Sequence, residues 1–232
     1  MPGHLLLIAF TGGERAGLAR SVALGLPLGF AFEVLLYLSC AAVGMRGGFP
    51  AIALLGVLLL GAWVWRRNGG RSLLPAIPRV ATGVWLAMSG LLLLLMITTA
   101  ARLYAPAPLD AGRLMHSTHH DWVYLVSRAA EIRHHWPFED PSLAGTPLSY
   151  HYFLLVHVAS ASQVTGLEIS KVLLRMVSVP MGVVLLTQVF LLGCIVGRSN
   201  RAGLLAAALM LAVGEVTLTG AAGGGGASKG FS

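Results

Sequence analysis

One stretch of the chain, HSTHHDWVYLVSRAAEIRHH at residues 116–135, concentrates side chains that could do chemistry. His116, His119 and His120 have the i, i+3, i+4 spacing that brings imidazoles together on a helix, and Asp121 could add an oxygen ligand, so one possible chemistry is metal binding. A second is general-base catalysis by Asp121 on a substrate hydroxyl. A third interpretation assigns no chemistry, because the charges could simply keep a solvated helix at the membrane surface. The residues of this stretch leave all three open.

The hydrophobic periodicity of the same stretch predicts an amphipathic helix. Its apolar face, on which Arg133 is the single exception, would be made of Trp122, Leu125, Val126, Ala129, Ile132 and Trp136. Its polar face would be made of Asp121, Tyr124, Arg128, Glu131 and His135. Such a helix is expected to lie along a membrane surface, with its polar side directed at an aqueous substrate.

The segment that follows, WPFEDPSLAGTPLSYHYF at residues 136–153, is a proline-braced loop. Glu139 and Asp140 could bind a metal or a substrate hydroxyl, and Asp140 could equally cap a turn. The triplet Tyr150, His151 and Tyr152 could contact a sugar or a phosphate, or could form part of an aromatic belt at the bilayer interface. The loop therefore predicts a place where side chains are held in fixed positions.

The elements that must position these residues are membrane spans. Of the 232 residues, 56% are hydrophobic and only 11% are charged, which is the composition of a membrane protein. The net charge of +7 comes from basic residues scattered at span ends, so it indicates topology and not nucleic-acid binding. Cys40 and Cys194 fall within apolar segments and receive no predicted function. The predicted spans cover residues 21–44, 49–65, 80–101, 172–196 and 202–218.

The fold class predicted is all-α, a polytopic transmembrane helix bundle with a long extracytoplasmic loop. Arg66, Arg67, Arg71 and Arg79 mark one connection as cytoplasmic, which places the loop at residues 102–170 outside. Within it, residues 148–166 are expected to re-enter the membrane or lie in the interface, because a crossing would leave Arg198 outside. The expected organisation is residues 1–101 as N-terminal spans, 102–170 as the loop, 171–219 as further spans and 220–232 as a low-complexity tail, which suggests a fragment of a longer chain.

One acid interrupts the first long span. Glu33 lies in LGFAFEVLLYL, and a carboxylate in lipid costs about 2.5 kcal/mol or more, so its side chain should face other helices. It could bind a proton or a ligand, or it could be hydrogen-bonded between helices.

Three features occur together in this chain: membrane spans, a long outer loop with an acid at the start of its helix, and the pattern P..DP..AG.PLSYHYF. In these features it resembles the membrane glycosyltransferases of the C-type fold, in particular bacterial mannosyl- and arabinosyltransferase-like members. The resemblance covers about residues 80–200. It implies an inner-membrane enzyme that moves a sugar from a polyprenyl-phosphate donor to a glycan, lipid or protein acceptor outside the cytoplasm. It also implies an aspartate of the first outer loop as catalytic base. Asp121 matches that position best and Asp110 second, although the usual adjoining second acid is replaced here by His120 and Trp122.

Under this resemblance the phosphate leaving group needs positive charge, which Arg128, His134, His135 or His151 could supply. Further substrate contacts are expected from Glu131, Asp140 and Tyr150. The only cofactor considered is a divalent metal, held by the histidines. Two alternatives stay open: a transporter or metal-binding protein whose histidine-rich loop captures a cation, and a non-catalytic scaffold that docks a partner through Trp122 and Trp136.

Overall fold

The computed structural model describes residues 2–11, 17–69, 73–75, 82–104, 120–149 and 151–223, with only the backbone for residues 100–104, 120–122 and 214–223. The described chain is mostly helical, as predicted. The helices are α1 (Pro2–Phe10), α2 (Leu18–Ala42), α3 (Phe49–Arg67), α4 (Thr82–Tyr104), α5 (His120–His134), α6 (Phe153–Thr165), α7 (Ile169–Gly197) and α8 (Asn200–Gly223). The strands, which form one hairpin, are β1 (Glu139–Asp140) and β2 (Leu143–Pro147).

Four helices among the described residues are long and apolar enough to cross a membrane. They are Leu18–Ala42, Arg46–Arg67, Thr82–Thr99 and Ile169–Gly197, and they confirm the first four predicted spans. Large apolar side chains on them, such as Leu58, Leu93 and Ile195, are exposed on the protein surface, as expected of helices that face lipid. The fifth predicted span lies within α8, whose side chains are described as far as Val213.

Arginines gather at one end of this bundle. A 3₁₀ turn, Arg46–Gly48, joins α2 to α3, so Arg20 at the start of α2 and Arg67 at the end of α3 lie at the same end. The side-chain amide of Gln188 on α7 donates to the carbonyl oxygen of Ala23 at 2.9 Å, which brings the end of α7 there too. This end, which also holds Arg198 and Arg201, is called the arginine end below.

Helix α6 runs in the same direction as α2 and is too short to cross the bilayer. His157 lies beside Glu33, and six residues later the Gln163 side chain accepts a hydrogen bond from the Tyr37 hydroxyl at 3.3 Å. Its 13 residues extend about 20 Å, against a hydrocarbon core of about 30 Å. The helix therefore begins beside the middle of α2 and ends opposite the arginine end.

The apolar face of α5 is buried by protein. Ala129 and Ile132 have no exposed surface and join a core that includes Val34 of α2 and Val156 of α6. Arg133, the exception on this face, donates from Nη1 to the Ser162 hydroxyl at 2.7 Å, so its charge is used in the packing against α6. The amphipathic pattern of α5 is thus accounted for by contacts within the chain.

The prediction that Trp136 belongs to this helical face is wrong. The helix ends at His134, and Trp136 is 43% exposed in the connection to β1. The physical reason is Pro137, since a residue that precedes proline is disfavoured in the α region.

The proline-braced loop contains a hairpin that an all-α prediction leaves out. β1 and β2 pair antiparallel, with Glu139 opposite Pro147 and Asp140 opposite Leu143. Gly145 has φ +76°, which glycine adopts without the steric cost that a Cβ would add. The hairpin is fastened at its base, where the Leu148 N–H donates to the Phe138 carbonyl at 3.0 Å.

Glu33 faces another helix, as predicted. Both its carboxylate oxygens lie 3.1 Å from Nδ1 of His157, and the Ser160 hydroxyl donates to Oε1. Ser160 is fully buried and His157 is partly buried. A single carboxylate therefore joins α2 to α6 through two polar side chains of α6.

Replacing Glu33 by leucine is expected to lower the free energy of unfolding by about 1–2 kcal/mol. His157 loses its carboxylate partner, and the Ser160 hydroxyl keeps its hydrogen bond to the His157 carbonyl oxygen. Thermal unfolding of the chain in detergent measures the change. Ser39→Ala is the matched control, since the Ser39 hydroxyl donates to the Leu35 carbonyl oxygen of its own helix. A Glu33→Leu variant as stable as the Ser39→Ala variant would contradict the role of this contact.

Candidate functional site

A partly buried ion pair holds the hairpin against α5. Nη2 of Arg128 lies 2.9 Å from Oδ2 of Asp140, and the two side chains are 6% and 13% exposed. The Arg128 guanidinium also lies over the Tyr124 ring, 3.7 Å from its centroid, and donates to the Tyr124 hydroxyl. That hydroxyl donates in turn to Asp140 at 3.2 Å. Arg128 was predicted on the polar face of the helix. In the structure it is buried, and its ion pair with Asp140 holds in place the hairpin that forms one wall of the site.

The Asp140 carboxylate is stabilised in its charged form. Its other oxygen accepts hydrogen bonds from the Ser142 hydroxyl at 2.5 Å and the Ser142 backbone N–H at 3.0 Å. These bonds, followed by those from Arg128 and Tyr124, hold the pKa of Asp140 well below its usual range. Asp140 therefore both caps the hairpin turn, as one interpretation of the sequence had it, and anchors the turn to α5.

The Asp140 carboxyl is expected to stay ionised in mild acid. Because its folded pKa is lower than the unfolded value of about 3.9, its contribution to stability is present above that pH and is lost as the pH falls through the folded pKa. A carbon NMR titration of the side-chain carboxyl measures this pKa, and Ser142→Ala should raise it. Ser127→Ala is the control, since the Ser127 hydroxyl bonds to the Tyr124 carbonyl and not to Asp140. A pKa near 3.9 in the unaltered chain would contradict the assignment.

An open cleft of about 540 Å³ lies between the end of α5 and the hairpin. Its volume is within the usual range for small-molecule sites, about 300–1,000 Å³. Four predicted substrate-binding residues, Glu131, His134, His135 and Asp140, line it. The other lining residues are Arg46, Trp136, Pro137, Glu139, Pro141 and Ala144. The cleft thus combines carboxylates, imidazoles, a guanidinium and one large aromatic ring.

Hydrogen bonds fix the orientation of the two glutamates in the cleft. Nδ1 of His135 lies 2.6 Å from Oε2 of Glu131, and the Glu139 backbone N–H donates to the other oxygen of Glu131 at 3.4 Å. Glu139 accepts from the Gly145 backbone N–H at 3.0 Å. When Nδ1 of a neutral His135 donates to Glu131, its Nε2 is an acceptor, and in the protonated form Nε2 is a donor. His135, whose side chain is 67% exposed, can therefore exchange a proton with a bound molecule or donate to an anion.

Arg46 is a residue of the cleft that was not selected from the sequence. Its Nη1 donates to the carbonyl oxygens of His135 at 2.8 Å and Arg133 at 3.3 Å, so it caps the C-terminal end of α5. Its own carbonyl oxygen accepts from the Gln163 side chain at 2.5 Å. The sequence signal that could have identified Arg46 is that it is the one basic residue in the turn between the first two spans.

The remaining predicted site residues are distributed as follows. Asp121 and His120 form the first turn of α5, where only the backbone is described. Asp110, His116, His119 and Tyr150 lie outside the described residues. His151 is exposed and is not among the residues that line the cleft.

Metal binding by the histidine cluster stays a prediction. Among the side chains that the structure describes, no group of three or more histidine, cysteine, aspartate or glutamate residues is placed to hold a metal ion. The predicted set of His116, His119 and His120 lies outside those side chains.

Comparison with known proteins gives no relative: no family model, no curated protein and no solved structure matches the chain. The resemblance to C-type glycosyltransferases accordingly stays a prediction from the loop residues.

Proposed function

We propose that the protein is a membrane glycosyltransferase that moves a sugar from a polyprenyl-phosphate donor to an acceptor, in the cleft between α5 and the hairpin. The observation that carries the proposal is the composition of this cleft beside apolar, membrane-length helices. Carboxylates accept hydrogen bonds from sugar hydroxyls, and cationic side chains stabilise a phosphate leaving group. A donor with a lipid tail would reach such a cleft from the bilayer.

In this proposal Arg46, His134 and His135 contact the donor phosphate, while Glu131 and Glu139 accept hydrogen bonds from hydroxyls. Trp136 offers its ring to the sugar. The Trp136 ring is held edge-on against Phe138 with centroids 4.8 Å apart, so it is positioned before any ligand binds. The orientation supports an extracytoplasmic site, since the cleft lies opposite the arginine end and basic ends favour the cytoplasm. A re-entrant α6 agrees with this topology.

Asp121, the base that the resemblance implies, lies ten residues before Glu131, which is about 15 Å along the helix axis. A general base must lie within hydrogen-bond reach of the hydroxyl that attacks the sugar carbon, and that carbon carries the phosphate. Because the proposed phosphate contacts lie at the far end of α5, the base proposed for this cleft is Glu131, whose carboxylate is paired with His135.

The proposal is tested by sugar transfer in membranes that contain the chain. Polyprenyl-phosphate sugars are supplied in one assay and the nucleotide-linked forms of the same sugars in another. Transfer from the lipid-linked donors alone is the expected result. Transfer no greater than in membranes without the chain, for every donor, would refute the proposal.

A variant of Trp136 connects transfer to this cleft. Trp136→Ala is expected to raise the KM for the donor, because the sugar loses its aromatic contact, while the fold is retained since Trp136 is half exposed. Trp65→Ala is the matched control, as Trp65 is 53% exposed on α3 and does not line the cleft. Equal KM values for the two variants would exclude the cleft as the donor site.

A further inference from the structure

A second cavity, of about 380 Å³, lies among α2, α4, α7 and α8, near the arginine end and away from the cleft. Its walls are largely apolar and include Val84, Trp85, Met88, Leu92, Phe190 and Leu191. Such a volume with mostly apolar walls and a few polar groups is typical of sites for small apolar ligands. Since α2, α4 and α7 are long and apolar enough to cross a membrane, a lipid chain can reach the cavity from the bilayer.

The charge at the cavity decides which lipid it suits. Arg20 is the only charged residue among those lining it, and no lining residue is acidic. Arg20 is exposed, and within the described part of the chain no carboxylate pairs with it. Asn200, which also lines the cavity, is followed directly by the exposed Arg201. An anionic group at this place would meet the guanidinium of Arg20 and the side-chain amide of Asn200.

We propose that this cavity binds one anionic phospholipid, with an acyl chain between α4 and α7 and its phosphate at Arg20. Basic pockets between transmembrane helices on the cytoplasmic side are suited to anionic headgroups, and each arginine near a charged lipid surface contributes favourably to binding. The site is separate from the proposed glycosyl-transfer cleft and does not depend on that function. It would attach the helices of the arginine end to the anionic lipids of one membrane leaflet.

Trp85 makes the occupancy of this cavity measurable. The full chain is purified in detergent, stripped of lipid, and titrated with phosphatidylglycerol or phosphatidylcholine that carries brominated acyl chains. Bromine quenches tryptophan fluorescence at short range, and the difference between the unaltered chain and Trp85→Phe isolates the signal of Trp85. Phosphatidylglycerol is expected to quench Trp85 at a concentration roughly fivefold lower than phosphatidylcholine.

Two charge variants and one filled cavity complete the test. Arg20→Gln should remove the preference for phosphatidylglycerol, whereas Arg67→Gln, at the same end of the bundle but outside the cavity, should keep it. Ser89→Phe, which places a ring in the cavity, should abolish the Trp85 signal for both lipids. The proposal is overturned by equal quenching with the two lipids, by a preference that survives in Arg20→Gln, or by the absence of a Trp85-dependent signal.

Discussion

Glu131→Gln is expected to lower the turnover of sugar transfer by about 10²- to 10⁴-fold, the usual contribution of a general base. Glutamine has nearly the shape of glutamate but cannot take a proton from the acceptor hydroxyl. Glu131 lies in the last turn of α5, where a negative charge does not favour the helix, so the variant should still fold.

The measurement is kcat in membranes, normalised to the amount of inserted protein. Glu168→Gln is the matched control, because it makes the same type of change in an acid that is 65% exposed, pairs with Lys171 at 3.2 Å and does not line the cleft. Full turnover in Glu131→Gln together with lost turnover in Asp121→Asn would move the base, and with it the site of transfer, to the start of α5. Full turnover in both variants would leave the proposed chemistry without a base.

Gly203→Val is expected to destabilise the chain by about 3 kcal/mol or more, because it overpacks a contact between backbones. A Cβ at Gly203 would lie 2.6 Å from the Phe190 carbonyl oxygen and still closer to the Cys194 sulfur. The two helices also approach closely at Gly193 of α7, where a Cβ would lie 2.9 Å from the Gly203 Cα. Neither α7 nor α8 can make room without separating, and their separation would open the core formed by Leu186, Phe190 and Ala207.

Thermal unfolding in detergent, read by light scattering and by a label on α8, detects this loss. Gly90→Val provides the comparison, since it adds the same side chain to a glycine of α4 where a Cβ would meet nothing within 4 Å. Both variants carry the same cost of a β-branched residue in a helix, so their difference isolates the contact. Equal melting temperatures would show that α7 and α8 tolerate a wider separation.

The spans and α5 could be predicted from the sequence because their signals are local. A run of about 20 apolar residues identifies a membrane helix, and the 3.6-residue period of Leu125, Ala129 and Ile132 identifies the buried face of α5. The periodicity does not determine what covers that face. The membrane surface was expected there, but residues of α2 and α6 cover it. Nor does the period mark the helix end, which Pro137 determines through a steric effect on Trp136.

The candidate site was predicted in part, and the missing part depends on contacts between distant residues. Glu131, His134, His135 and Asp140 were selected by residue type, and they line one cleft. Arg128 has the sequence of an exposed helix residue, but it is buried because the hairpin folds back and brings Asp140 to it. Arg46 reaches His135 across 89 residues of sequence, a pairing that no local pattern encodes.

The hydrogen bonds of Arg46 also impose an order on assembly. Chains are synthesised from the N-terminus, so the turn between α2 and α3 is complete long before α5 and α6 emerge. At that stage the Arg46 Nη1 has no helix end to cap, and the Arg46 carbonyl oxygen has no hydrogen bond from Gln163. When α5 is made, Arg46 is already present to cap its C-terminal end. The contacts of Gln163 with Arg46 and of Ser162 with Arg133 form only after α6 has followed. The cleft should therefore acquire its final geometry only after α6 has been synthesised.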